Sequence, residues 1–163
     1  MKPHPARLAL VARFLEGQSI MALATTGPGG SPSVAPLFYL PGDALSLYWF
    51  SSSSSRHSRN LKENPEAAVS VYDSTWEWKE IRGVQMRGAA SAVTGQQCRL
   101  LLSEAYTERF RLRGLFEAAI SRSTLYRFVP AWVRYIDNSR RFGYKFEISV
   151  GCASELTARG KPT

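Results

Sequence analysis

The feature that most constrains the fold is a series of three short apolar segments separated only by turn residues. The first, SIMALATT (19–26), and the second, SPSVAPLFYL (31–40), flank the turn GPGG, and PGD precedes the third, ALSLYWFS (44–51). Short apolar segments bounded by glycine and proline are typical of β-strands. Turns of this length join neighbouring strands into hairpins, so the sequence predicts an antiparallel sheet at this end of the chain.

Further strands and several helices are predicted along the rest of the chain. The predicted strands are 67–72, 78–93, 125–128, 132–137 and 144–150. The predicted helices are 5–16, 55–64, 95–110 and 112–120. No strand–helix–strand pattern with a glycine-rich fingerprint occurs, which excludes a Rossmann dinucleotide site. Short hairpin-linked strands with helices at the edges predict a mainly β (α+β) fold, a small antiparallel barrel with peripheral helices.

The composition fits one soluble domain. The chain has 163 residues, of which 44% are hydrophobic and 21% are charged, as expected for a globular protein. We expect a single domain at 1–150 and a polar C-terminal tail at 151–163. No apolar run approaches the roughly 20 residues that cross a bilayer, and the N-terminus has no signal-peptide cleavage site. The expected location is therefore cytoplasmic, with no membrane contact.

The cysteine and histidine content argues against a metal site. The two cysteines are Cys98 and Cys152, neither of them in a CxxC motif, and the two histidines are His4 and His57. A zinc site is not expected from so few ligands. A chain of this size does not need a disulfide, and the absence of an export signal argues against one.

The net charge of +8 is concentrated in the second half of the chain. Residues 81–163 carry fourteen Lys and Arg against six Asp and Glu, whereas residues 1–80 carry seven of each class. A basic surface attracts anions such as nucleic acid, a phosphorylated cofactor or an acidic partner; the alternative is a solvated surface that only keeps the protein in solution. No recognition helix or RNA-binding motif supports nucleic acid as the partner.

A serine-rich run followed by basic residues indicates an anion-binding site. In YWFSSSSSRHSRNLKENP (48–65) a strand ends, hydroxyls accumulate, and Arg56 and His57 enter a short helix. Free N–H groups at a helix start, hydroxyl donors and an arginine together suit a phosphate. His57 adds a donor whose charge changes near neutral pH. The alternative is that Ser54 or Ser55 only caps the helix and the basic side chains are solvated.

Two later segments offer surfaces suited to a flat ring. In EIRGVQMRGAA (80–90), Gln85 places an amide next to the bare backbone of Gly83 on one strand face, which suits the polar edge of a heterocycle. In 126–146, arginines alternate with aromatic residues that provide an apolar wall, namely Tyr126, Phe128, Trp132 and Tyr135. The alternatives are a solvated strand face with a glycine bulge for the first segment, and an aromatic core with outward arginines for the second.

Four segments, taken in order, resemble the FMN-binding split-barrel superfamily of pyridoxamine 5′-phosphate oxidase. They are SVAPLFYL, YWFSSSSSRHSRNLKENPEAAVSVY, EIRGVQMRGAA and VRYIDNSRRFG, and the resemblance covers roughly residues 6–149. It is strongest to a small branch of uncharacterised bacterial proteins. The resemblance implies a homodimer of six-stranded antiparallel split barrels with Greek-key topology, with FMN in each of two grooves at the subunit interface. It further implies a flavin-dependent oxidoreductase whose small-molecule substrate and electron donor are unknown.

The resemblance also implies roles for individual residues. Arg56 matches the arginine that binds the FMN phosphate, Ser51 matches a hydroxyl at the end of the third strand, and His57 stands where a lysine is usual. The implied cofactor-binding residues are Val34, Pro36, Ser51, Ser52, Ser55, Arg56, His57 and Gln85. No catalytic residue and no metal ligand is predicted. The alternative on the same fold is a non-catalytic binding module for haem, deazaflavin or another flat cofactor.

The chain departs from the oxidases in three places. The oxidases carry a basic residue at each end of the second-strand motif, whereas SVAPLFYL has none. Their flavin-contacting glutamine falls at Gly83, and Gln85, on the same strand face, is expected to take its place. The C-terminal Arg-x-His element that grips pyridoxine has no counterpart at 151–163, so oxidation of vitamin B6 is not expected.

Overall fold

The computed structural model describes residues 4–150 and consists of four α-helices around one antiparallel β-sheet. Its strands are β1 (Ile20–Thr26), β2 (Pro32–Phe38), β3 (Leu40–Pro41), β4 (Leu47–Ser51), β5 (Glu66–Tyr72), β6 (Arg82–Ala92), β7 (Thr124–Asp137) and β8 (Lys145–Ser149). Its helices are α1 (Pro5–Glu16), α2 (Arg56–Glu63), α3 (Gln96–Arg109) and α4 (Leu115–Arg122). No helix in this part of the chain is long and apolar enough to span a bilayer. The predicted tail at 151–163, with Cys152, lies outside the described residues.

The sheet closes into a barrel because one extended segment changes partners. The strand order is β2-β1-β5-β6-β7-β4-β3, and β8 pairs with β7 beyond this path. Only Tyr39 separates β2 from β3; β2 pairs with β1, and β3 pairs with β4 at the other end of the order. The predicted antiparallel split barrel with peripheral helices is therefore confirmed. It has eight strands rather than six, since the β2–β3 segment is divided and β8 is additional.

The last part of the sheet differs from the prediction because a bulge accommodates a proline. The sequence predicts separate strands at 125–128 and 132–137, interrupted at Pro130, but β7 is unbroken. β6 pairs along the length of β7, and its register shifts next to Gly88, opposite Pro130. Since proline has no N–H to donate, this shift lets the ladder of hydrogen bonds continue on both sides of it.

Two other predicted strands begin later than expected because short 3-10 turns precede them. Asp43–Leu45 forms such a turn before β4, which was expected from 44. Trp78–Glu80 forms another before β6, which was expected from 78. The bounds of α1 are those predicted, and α2 differs from its prediction by one residue at each end.

Alternate residues of each strand face inward and form the core together with α1. The inner side of α1 contributes Phe14 and Leu15, and the buried Tyr39 hydroxyl donates a hydrogen bond of 2.6 Å to the Leu15 carbonyl oxygen. Three of the four aromatic residues proposed as a cofactor wall are buried in the core: Tyr126, Phe128 and Tyr135. For these three residues the aromatic-core interpretation is correct.

α2 lies across one end of the barrel and positions the candidate site. Its inner side is buried and consists of His57, Ser58, Asn60 and Leu61. Asn60 Nδ2 donates a hydrogen bond of 3.0 Å to Thr25 Oγ1 in β1, and both side chains are buried. This buried amide–hydroxyl pair fixes α2 against the end of β1, because breaking it leaves polar groups without partners.

Candidate functional site

A serine–histidine cluster joins the end of β4 to the start of α2. His57 Nε2 lies 2.8 Å from Ser51 Oγ and 3.0 Å from Ser55 Oγ. Ser55 is the N-cap of α2, where its hydroxyl accepts a hydrogen bond of 3.3 Å from the Ser58 N–H. The capping role predicted as an alternative is therefore present, and the same hydroxyl also contacts His57. Three predicted site residues, Ser51, Ser55 and His57, are thus within hydrogen-bonding distance of one another.

The burial of His57 within the cluster favours the neutral form of its imidazole. Only 8% of His57 is exposed, and this burial lowers the pKa of its imidazole below the ordinary value. Ser55 has one hydroxyl proton, so it cannot donate to both Ser58 and His57. When it donates to Ser58 Oγ, at 2.8 Å, the proton between Ser55 and His57 must come from Nε2.

Arg56 faces a different direction from His57 and lines an open cleft. This cleft, the α2 cleft, has a volume of about 700 Å³ and lies between α2 and the β1–β2 turn. Its cationic lining consists of Arg56, Arg59 and Lys62, with Glu63 as the acidic residue. Gly27 lets the turn approach the helix, since a Cβ there would lie 3.1 Å from Asn60 Oδ1. The cleft therefore combines positive charge with the N-terminal end of a helix, which favours an anion.

The loop between β4 and α2 holds its own hydroxyls. Ser52 Oγ lies 2.8 Å from Ser54 Oγ and accepts a hydrogen bond of 3.2 Å from the Ser54 N–H. Arg59 donates from Nη1 to the Ser54 carbonyl oxygen. Ser52 is exposed and its recorded contacts are within this loop, so the structure does not bring it into the cluster with His57.

The remaining predicted residues, Val34, Pro36 and Gln85, lie on the outer face of the barrel. Val34 is 66% exposed, and Pro36 and Gln85 are exposed as well. The register places Pro36 and Gln85 in one cross-strand row, separated by Ala22 and Ser70. With three strand spacings between them, they are about 14 Å apart. Within one subunit these residues form a surface separate from the serine–histidine cluster.

Two cationic residues of the α2 cleft and one buried hydrogen bond were not predicted from the sequence. Arg59 and Lys62 follow Arg56 at three-residue intervals, a spacing that places side chains on neighbouring positions of one helix face. That spacing is visible in the sequence and is the signal from which their position beside Arg56 could have been predicted. The contact between Asn60 and Thr25 left no such signal, because it joins residues that are 35 positions apart.

The chain is similar to a protein-family model and to several relatives, among them an oxidase and a UPF0306 protein. A model described as pyridoxamine 5′-phosphate oxidase matches residues 9–137. The pyridoxine/pyridoxamine 5′-phosphate oxidase of Rhodopseudomonas palustris (strain BisB5) is 37% identical over 81 residues, which are 49% of this chain and only 36% of that oxidase. A UPF0306 protein of Yersinia pseudotuberculosis serotype O:3 (strain YPIII) is 26% identical over 147 residues, which are 90% of this chain and 95% of the relative.

Solved structures show the same fold at low sequence identity. A Clostridium acetobutylicum protein related to general stress protein 26, described as of the pyridoxinephosphate oxidase family, aligns with a TM-score of 0.67 and 16% identity over 91% of this chain and 97% of its own. HutZ from Vibrio cholerae, described as a haem storage protein, aligns with a TM-score of 0.63 and 20% identity over 80% of this chain and 91% of its own.

Proposed function

The chain belongs to the pyridoxamine 5′-phosphate oxidase family, and from this premise we propose that it binds FMN and acts as a flavin-dependent oxidoreductase on a small molecule. The observation that carries the proposal is the α2 cleft, where Arg56 stands at the first position of α2 and Arg59 and Lys62 follow it along the helix. Such a site suits a phosphate dianion, because charged donors and the helix dipole act on the same anion.

In the proposal, the cationic residues of α2 compensate for the basic residues that the oxidases have on their second strand and that β2 lacks. Ser33 of β2 lines the α2 cleft opposite the helix, at one end of the motif where the oxidases carry basic residues. Arg59 and Lys62 supply positive charge to the same cleft from α2. In the proposal, Arg56 binds the phosphate in bidentate fashion, and Ser51, Ser55 and His57 hold the loop before α2 in place.

The outer face of the sheet provides a floor for the flavin ring. Between Pro36 on β2 and Gln85 on β6, the outward residues of β1 and β5 are small: Ala22, Ala24, Ala68 and Ser70. A second subunit packed against this face would form the two grooves of the proposed homodimer, with Val34 at their edge. FMN, when bound, supplies hydride and electron transfer at its N5. In the proposal, the side-chain amide of Gln85 donates to, or accepts from, a polar edge of the ring.

The test is a titration of the purified chain with FMN, followed by quenching of flavin fluorescence. The wild-type chain should bind one FMN per chain, and Arg56→Ala should weaken binding by about 1.5–3 kcal/mol, the contribution of a hydrogen bond to a charged group. Arg113→Ala is the matched control, because Arg113 is exposed on the linker before α4. Failure of the wild type to bind at tens of micromolar, or an unchanged affinity in the Arg56 variant, contradicts the proposal.

Haem is a second candidate, favoured by the shared fold with HutZ. An iron ligand from His57 would require its Nε2 to leave both Ser51 and Ser55. The visible spectrum of the protein incubated with haem separates the candidates, since haem coordination gives a shifted Soret band that His57→Ala should abolish. Deazaflavin, which shares the flat ring system, is tested by competition against FMN in the same fluorescence assay.

A further inference from the structure

A second cleft, which we call the α1 cleft, lies between α1 and the β7–β8 hairpin. It has a volume of about 1090 Å³ and shares no lining residue with the α2 cleft. Its lining comes from the first three turns of α1, the turn after β7, and β8. None of the residues predicted to hold FMN lies in it, so any ligand it takes is separate from the proposed flavin site.

The charged lining of the α1 cleft is mainly positive. It contains Arg7, Arg13 and Arg140 against one carboxylate, Glu147. Glu147 is already engaged: it accepts hydrogen bonds of 2.7 Å from Arg134 Nη2 and 3.1 Å from Trp132 Nε1. Arg140 Nε lies 3.3 Å from Asp137 Oδ2, a contact that leaves the two terminal nitrogens of Arg140 for a ligand. Within residues 4–150, neither Arg7 nor Arg13 forms a salt bridge, so their charges are available to a ligand.

Two of these guanidinium groups are held in place by aromatic rings. The Arg7 guanidinium carbon lies 5.1 Å from the centre of the Phe146 ring, and that of Arg140 lies 5.4 Å from the centre of the Tyr144 ring. A guanidinium over a ring can still bind oxyanions in bidentate fashion through its N–H edges, and in Arg140 the terminal nitrogens can do so while Nε faces Asp137. Because two such groups line one cleft, it fits a ligand with two neighbouring oxyanions better than a single phosphate.

The start of α1 adds both positive potential and apolar surface. The first turn of α1 has no acidic residue, and its N-cap, His4, makes no side-chain capping hydrogen bond. The dipole of α1 therefore adds to the arginine charges. Pro5 and Leu10 line the same cleft and offer apolar contact to an organic group. We propose that the α1 cleft binds an organic diphosphate of the nucleoside diphosphate class, with Arg7, Arg13 and Arg140 on the diphosphate.

The test is isothermal titration of the full chain with ADP as the probe. The wild type should bind ADP, and Arg7→Ala combined with Arg13→Ala should weaken that binding by about tenfold or more, as expected for loss of charged hydrogen bonds. Arg7→Lys should also weaken it, since an ammonium keeps the charge but loses the bidentate geometry. Both arginines are exposed, and thermal unfolding checks that the variants retain their fold.

Two further variants test whether ADP binds in the α1 cleft, rather than to other exposed arginines or at the proposed FMN site. Arg113→Ala with Arg122→Ala removes the same charge from the α4 region and should leave ADP binding unchanged. Arg56→Ala, at the proposed FMN site, should likewise leave it unchanged, so failure of the flavin proposal and failure of this one are distinguishable. Absence of ADP binding by the wild type, an Arg7/Arg13 variant that binds as well as the wild type, or equal loss in the α4 control overturns the proposal.

Discussion

At the scale of single residues, the candidate site depends on two neighbours that face opposite ways. Arg56 is exposed in the α2 cleft, whereas His57 is buried against Ser51 and Ser55. The sequence predicted that these residues lie together, because a serine-rich loop leads straight into a helix. It did not show that His57 is buried, since its burial depends on how α2 packs against the end of the barrel.

The burial of His57 makes the stability of the fold depend on pH. The folded-state pKa of His57 lies below its ordinary value of 6.5, so the unfolded chain binds a proton at a higher pH than the folded chain does. The contribution of His57 to stability is therefore complete above about pH 6.5 and is lost as pH falls from there to the folded pKa. We expect His57→Gln to reduce the loss of stability between about pH 7.5 and about pH 5, measured by urea unfolding.

The exposed His4 provides the control for this prediction. His4→Gln removes the other histidine of the chain, but His4 lies at the exposed start of α1. Its replacement should leave the pH dependence of unfolding as it is in the wild type. A His57 variant with the same pH dependence as the wild type would show that burial of the imidazole does not govern acid sensitivity.

At the scale of elements, the pairing of β6 with β7 shows where local sequence signals fail. Pro130 indicates a strand end when read alone, yet β7 continues through it. The compensating feature is Gly88 on the neighbouring strand, where the register shifts. The helices were easier to predict, because α1 and α2 have local stop signals in Gly17 and Pro65. A bulge opposite a proline is a property of two strands that are distant in sequence.

Gly88 should therefore be intolerant of any side chain. A Cβ at this position would lie 2.1 Å from the Val129 carbonyl oxygen and 2.8 Å from the Pro130 Cα, so the two strands would have to separate. We expect Gly88→Ala to lower the free energy of unfolding by about 3 kcal/mol, measured by chemical denaturation. Gly95→Ala is the control, since its Cβ would meet nothing closer than 3.7 Å; because Gly95 is the N-cap of α3, the change should cost at most about 1 kcal/mol. Similar stabilities for the two variants would contradict this account of the bulge.

At the scale of the whole molecule, the hairpin run near the N-terminus predicted the antiparallel barrel but not how it closes. The barrel closes because the segment 32–41 changes its pairing partner at Tyr39: it pairs with β1 before this residue and with β4 after it. Tyr39 is fully buried, and its hydroxyl donates a hydrogen bond to the Leu15 carbonyl oxygen of α1. This contact joins segments that are distant in sequence, so no local pattern predicts it. The proposed flavin site is divided in the same way. Its phosphate end was predicted from one continuous segment, whereas its proposed ring end depends on four strands and a second subunit.

The outer face of the sheet carries the apolar exposure expected of a subunit interface. Ile20 and Phe38 pair across β1 and β2 and are 50% and 44% exposed, and Tyr72 on β5 is 62% exposed. The next row of outward side chains on β1 and β5, Ala22 and Ser70, is small. Apolar exposure of this kind is typical of surfaces that bind another protein chain. If the proposed homodimer uses this face, charge placed on it must affect both assembly and FMN binding.

We therefore expect Ile20→Asp combined with Tyr72→Asp to convert a dimer into a monomer, measured by sedimentation velocity at micromolar concentration. A buried, unpaired carboxylate in the interface of each subunit strongly opposes association. The monomer should keep its thermal unfolding transition but lose FMN affinity, because each proposed groove needs both subunits. Leu115→Asp with Phe116→Asp is the control, since these residues are 86% and 70% exposed on α4 and are not on this face. A control that dissociates, or an outer-face variant that remains a dimer with full FMN affinity, would place the interface elsewhere.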